Sequence, residues 1–150
     1  MVEEIILRGI VFRITEERLG TWLALAISAL LFALLHLASP NVTLVSAIVA
    51  GLEGGVLLSA AYVLTSRLWL PVGIHFAWDF SQDALFNANG LMQANLIGPS
   101  LLSGGESGIE ESILALLLCL MISAYLLLLA RQRGHIVQPS WSAARQRDPP

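Results

Sequence analysis

Residues 109–130 read IEESILALLLCLMISAYLLLLA, and past the two opening glutamates the stretch carries no charge. At about 1.5 Å per residue it is long enough to cross a ~30 Å hydrocarbon core as one helix. The rest of the chain has the same character. Apolar residues make up 56% of the 150, above the roughly 45–50% of a soluble domain, and charged residues only 13%. With a mean hydropathy of +0.74, a 16.2 kDa globule has too little interior to hide so much apolar surface, so much of it faces lipid. A soluble enzyme and a disordered chain are excluded on this ground. The eight basic residues are all arginine and widely spread, and the net charge is −3, so no nucleic-acid groove is expected. The single cysteine, Cys119, lies inside the apolar run, which leaves no internal disulfide and no cysteine-based metal site.

Working backwards, Trp22–Ala38 is uncharged, apolar and closed by Ser39-Pro40-Asn41. Val42–Thr65 is a second span, interrupted by Glu53 among Gly51, Gly54 and Gly55. Residues from Leu68 to about Leu85 form a third, more polar one with His75, Asp79 and Asp83. Asn87–Gly108 reads as a loop, and Val2–Phe12 as the end of another buried helix. The expected fold is all-α, a polytopic membrane bundle of about four to five helices over residues 1–134. A polar tail, 135–150, is expected to be disordered. If Arg13 and Arg18 lie in the cytoplasm and the spans alternate, Arg67, Arg131, Arg133, Arg145 and Arg147 fall there too, and the two outer loops hold no basic residue. Seven arginines then obey the positive-inside rule, which predicts a multi-pass cell-membrane protein with a cytoplasmic C-terminal tail.

Ionisable groups inside a bilayer cost roughly 2.5–3.5 kcal/mol each by insertion scales, so each needs a reason. Here they fall in three sets: Glu3-Glu4-Ile5-Ile6-Leu7-Arg8, Phe32-Ala33-Leu34-Leu35-His36, and His75-Phe76-Ala77-Trp78-Asp79. Each holds a pair at i,i+4, which places both members on one helix face. Three such faces turned inward enclose a polar pocket. Glu4 and Arg8 have the favourable order for a helical ion pair, which leaves Glu3 free for other work. Asp79, one turn from His75, is placed to orient its imidazole. A carboxylate with two histidines holds a zinc ion with an open position, or polarises water directly. Either chemistry is hydrolysis. Plainer readings stand beside these. Glu4–Arg8 is also a structural pair, His36 an interfacial cap, His75–Asp79 a helix-joining hydrogen bond, Phe32 and Cys119 packing. Glu53 has no partner identifiable from sequence.

The three motifs together, Glu3-Glu4-x-x-x-Arg8, Phe32-x-x-x-His36 and His75-x-x-x-Asp79, resemble those of the CAAX protease and bacteriocin-processing (CPBP, or Abi) intramembrane proteases, which include type II CAAX prenyl endopeptidases. The stretch from Gly51-Leu52 through Thr65-Ser66-Arg67-Leu68-Trp69-Leu70-Pro71 fits that resemblance, and Gly105–Glu110 is similar to bacterial members. The similarity runs from about Val2 to Gly134. It implies an all-helical membrane peptidase cutting a membrane-associated or prenylated substrate among membrane lipids. It further implies Glu3 as general base or metal-contacting carboxylate, Glu4 and Arg8 as its support, and His36 as the second water-activating residue. His75 and Asp79 would complete the site and stabilise the oxyanion. If a metal takes part, the ligands implied are Glu3, His36 and His75, and the ion zinc. Asp79 stands where the family usually has asparagine. Family members also carry helices ahead of the Glu-Glu motif, so an N-terminally truncated chain or a misassigned start is expected. Two other classes stand as alternatives: a non-catalytic scaffold or immunity-type protein, and a proton or cation relay through Glu53, Asp79 and the histidines.

Overall fold

In the computed structural model the described residues are 2–40, 42–85, 91, 98–103 and 112–142, and among them every regular element is a helix. α1 occupies residues 2–19 and is wound as a π-helix over Ile5–Phe12. α2 is Thr21–Leu37 and α3 is Leu44–Thr65, with a π turn at Gly51–Gly55. α4 is Trp69–Phe80, continued by a π turn at Ser81–Leu85, and α5 is Ile113–Gln132. A single turn, Ser100–Ser103, lies between α4 and α5. Most of the loop expected over Asn87–Gly108 lies outside the described residues.

Local chemistry sets the boundaries. Gly20 ends α1 at φ +80°, a backbone conformation disfavoured for residues bearing a Cβ. Thr43 caps α3 by accepting from the Ser46 N–H at 3.0 Å, and Ser112 caps α5 by accepting from Ala115 N–H at 3.1 Å. Ser66, at φ 52°, closes α3 in the left-handed conformation before Arg67.

α3 is the central helix, packed against α2, α4 and α5. Phe12, Ala24, Leu25, Val63, Leu64 and Ala130 bring α1, α2, α3 and α5 together in one core, with Tyr62 edge-on to Phe12 at 5.6 Å. A second cluster of Leu7, Phe32 and Leu58 lies beside the polar residues. Among the described residues two helices, α3 and α5, are long and apolar enough to span a bilayer. Half of the apolar window of α3 is buried inside the protein, against 17% of that of α5, so α5 leaves most of its surface outward.

The spans expected at Trp22–Ala38 and Leu68–Leu85 are helical within a residue of those bounds, α2 over 17 residues, about 25 Å, and α4 over 12 before the π turn that ends at Leu85. One expectation changes here. The tail expected to be disordered is docked as far as Ser142. Val137 O accepts from Thr21 N–H at 3.0 Å, and Val137 N–H donates to Thr21 Oγ1 at 2.8 Å. Ser140 Oγ donates to Arg18 O, and His135 Nδ1 donates to Leu64 O at 2.9 Å. These bonds satisfy helix-end and turn groups that would otherwise need water.

Candidate active site

α1 and α3 are joined by one guanidinium. Arg8 and Glu4 are wholly buried, and Arg8 Nη1 donates to Glu4 Oε1 at 2.8 Å. The other nitrogen, Nη2, donates to the carbonyls of Gly54 at 3.0 Å and Gly55 at 3.1 Å. The guanidinium carbon also lies 5.0 Å from the Phe32 ring centre on α2, within cation–π range. One side chain therefore gathers three helices. The glycines in α3 allow this by close approach. A Cβ at Gly55 would lie 2.7 Å from Ala29 Cα, and one at Gly51 would lie 2.8 Å from Ala29 O. Side-chain donors reaching helix carbonyls accompany a break in the regular ladder, and here that break is the π turn.

α4 adds His75. Its Nδ1 lies 2.9 Å from the same Glu4 Oε1 that takes the arginine. An ionised carboxylate only accepts, so Nδ1 carries the proton and the second nitrogen, Nε2, faces the remaining acids. Nε2 is 3.5 Å from Asp79 Oδ1 and 3.9 Å from Glu3 Oε2, and both those carboxylates are about half exposed. Asp79, expected to orient the imidazole, stands against Nε2, and Nδ1 is held by Glu4. Glu4, fixed by Arg8, holds the ring from behind, and Asp79 stands on the open side with Glu3.

His36 is placed differently. Its Nδ1 donates to the Phe32 carbonyl one turn back at 3.0 Å, and its ring stacks on Phe32 with centres 4.4 Å apart. The capping role considered for it is thus realised on its own helix. Phe32, read as packing, is the plate between Arg8, His36 and His75, whose ring centre lies 6.0 Å away. Among the described residues no three His, Cys, Asp or Glu side chains come close enough to hold a metal ion. Glu3, His36 and His75 as placed do not fit a zinc centre.

His36, His75, Asp79 and Phe32 line a cavity of about 310 Å³. Glu53, only 5% exposed, is in the same wall, as is the buried Cys119. Sequence reasoning set Glu53 a helix apart from the motifs, but α3 is central and brings it to them. A lone acid among glycines in an apolar run was the available signal. The Glu4–His75 bond had none, since its partners are 71 residues apart. The model of one protein family, described as type II CAAX prenyl endopeptidase Rce1-like, matches residues 1–81, which contain all three motifs. No curated protein and no solved structure matches the chain.

Proposed function

The chain belongs to the Rce1-like family of type II CAAX prenyl endopeptidases, and from that premise we propose a multi-pass intramembrane endopeptidase that hydrolyses a peptide bond of a membrane-associated or prenylated substrate. The observation that carries this reading is the convergence of Glu3, Glu4 and Asp79 on His75, with Arg8 bonded to Glu4, where His75, Asp79 and His36 line one cavity. In a protein rich in apolar surface, water confined beside half-exposed carboxylates and an imidazole is water placed to react.

The hydrolysis follows from these side chains alone. Glu3, half exposed and 3.9 Å from the His75 ring, removes a proton from a water as it attacks the substrate carbonyl, and His36 is the second group to polarise that water. His75, steadied by Glu4 and Arg8, turns Nε2 toward the open side, and when that nitrogen is protonated it donates to the developing oxyanion. The protonated Glu3 then gives its proton to the leaving amine. Zinc is given no step, because the donor set does not close on one ion. The presence of Glu53 in the cavity favours the relay reading in one respect, but these groups cluster at one site instead of forming a path through the depth of the protein.

The test is cleavage in proteoliposomes, read by mass spectrometry, of a farnesylated CAAX peptide and an unprenylated membrane-anchored peptide. The wild-type chain cuts at least one. Glu3→Gln and His75→Ala lower kcat/KM by about 100-fold or more. Absence of cleavage by a folded wild-type protein, or full activity of Glu3→Gln, sinks the proposal.

A further inference from the structure

α1 and α4 meet at two depths and part between them. At the deeper one, His75 Nδ1 meets Glu4 Oε1 at 2.9 Å. At the other, a Cβ on Gly9 would stand 3.3 Å from Leu68 Cδ1. Between them Ile5 and Val72 flank a groove of about 700 Å³, lined also by Arg67, Leu68 and Trp69. That volume is in the range of roughly 300–1,000 Å³ usual for ligand sites. The groove shares no lining residue with the cavity of His75 and Asp79.

Its walls are aliphatic and aromatic, and its one charge is Arg67; no acid is among the described lining residues. The ion pairs among the described residues engage Arg8, Arg13 and His75, and leave the exposed Arg67 side chain out. Depth follows from the helices. α3 is long and apolar enough to cross a bilayer, and Arg67 stands two residues past its last residue, Thr65. With α3 across the membrane, Arg67 is at the level of the lipid headgroups. Trp69, 83% exposed, joins it in the interfacial belt. Val72 is one turn of α4 further into the hydrocarbon.

A phospholipid has its parts in this same order, an anionic phosphate at the surface and a chain that runs inward. Arginine takes a phosphate by two parallel N–H bonds. The corner that carries it is fixed, since Thr65 Oγ1 donates to the Arg67 carbonyl at 3.1 Å and Ser66 N–H donates to Tyr62 O at 2.6 Å. The ammonium of a zwitterionic headgroup finds no acid in the lining to meet it. A lipid-modified substrate fits in the wrong direction: held by its scissile bond at His75, it would set the apolar end of its chain against Arg67. We propose that the groove between α1 and α4 binds one anionic phospholipid, its phosphate on Arg67 and one acyl chain along Leu68, Val72 and Ile5. Such binding depends on α3 crossing the membrane and needs no peptide hydrolysis.

The test is native mass spectrometry of the full chain, delipidated in detergent and titrated with phosphatidylglycerol or phosphatidylcholine of identical chains. One phosphatidylglycerol binds, about fivefold or more tighter than phosphatidylcholine. Arg67→Gln brings that ratio to about one and Arg67→Lys retains part of it. Arg131→Gln, in the last turn of α5, leaves it unchanged and controls for general attraction to anionic lipid. Should Arg67→Gln fail to fold, Val72→Phe supplies a second route: it fills the groove, keeps the charge and weakens phosphatidylglycerol by a similar factor. Glycerol phosphate, a head without chains, does not compete at matched concentration. Equal affinity for the two lipids overturns the site, as does a preference that survives Arg67→Gln or falls as far with Arg131→Gln. Displacement by glycerol phosphate would make it a free-phosphate site, and displacement by a farnesylated peptide would give the groove to the substrate; either overturns it as well.

Discussion

α1 carries two glutamate–arginine pairs at i,i+4 in opposite circumstances. Glu4–Arg8 is closed at 2.8 Å with both side chains fully buried, whereas Arg13–Glu17 is open to water at 3.3 Å with both about two-thirds exposed. The first has the acid on the N-terminal side, the better order on a helix, and the second has the reverse. Spacing alone permits both pairs, and tertiary structure separates them. Arg8 has two helices to bond and an aromatic ring beneath it, while Arg13 has one carboxylate that water serves nearly as well.

The widest break of this contrast is Arg8→Ala, which leaves Glu4 buried without its cation. It is expected to destabilise the protein by about 3–5 kcal/mol, read from reversible unfolding in detergent. A loss below about 1 kcal/mol would show that the buried pair is worth no more than a surface one.

Next in size is Gly55→Ala, which puts a methyl 2.7 Å from the backbone of Ala29 and pushes α2 away from α3 at the turn whose carbonyls hold Arg8. The expected cost is roughly 1–3 kcal/mol. Gly73→Ala on α4, where an added Cβ meets nothing within 4 Å, is the control and should stabilise by up to about 1 kcal/mol.

A smaller effect tests the intermediate case on the same helix. Burial lifts the Glu16 carboxyl above the usual range, with a lesser push from Glu17, although the hydrogen bond from Thr21 pulls the other way. The folded state then holds its proton to higher pH than the unfolded chain does. Stability from this group therefore falls as pH rises through the ordinary glutamate range and levels off above the folded value. Glu16→Gln should flatten that slope in an unfolding series against pH, and an unchanged slope would assign it to another group. The smallest effect is Arg13→Ala, expected within about 0.5 kcal/mol of wild type.

The sequence made some of this legible. The length of the apolar runs and their breakers located α2 to α5 to within a few residues, whereas α1 runs on to Leu19 past the expected Phe12, and i,i+4 spacing exposed the motif faces and the Glu4–Arg8 pair. What it hid is non-local. Nothing near Glu4 announces His75, nothing near Arg8 announces the Gly54 and Gly55 carbonyls, and Val137 has no local feature that marks it as a partner of Thr21. The tail misled for a composition reason. Its residues are polar enough to suggest disorder, yet their backbone groups and the His135 ring bond the exposed ends of α1–α3. His36 misled for a different reason: spacing placed it on the correct face but could not foresee that one ring nitrogen bonds its own helix.

The wide turn at Gly51–Gly55 also bears on how this gene tolerates editing. A π turn amounts to one extra residue accommodated in an otherwise α-helical ladder. Losing one codon there would let the ladder close as ordinary α-helix with its two halves nearly in their present phase, because the wide turn already absorbs the extra residue. Ser46 and Val49 would stay in the cavity wall that they share with Leu57 and Leu58. The same loss in the regular part of α3 would turn one half by about 100° against the other, so the wide turn is where the gene tolerates it.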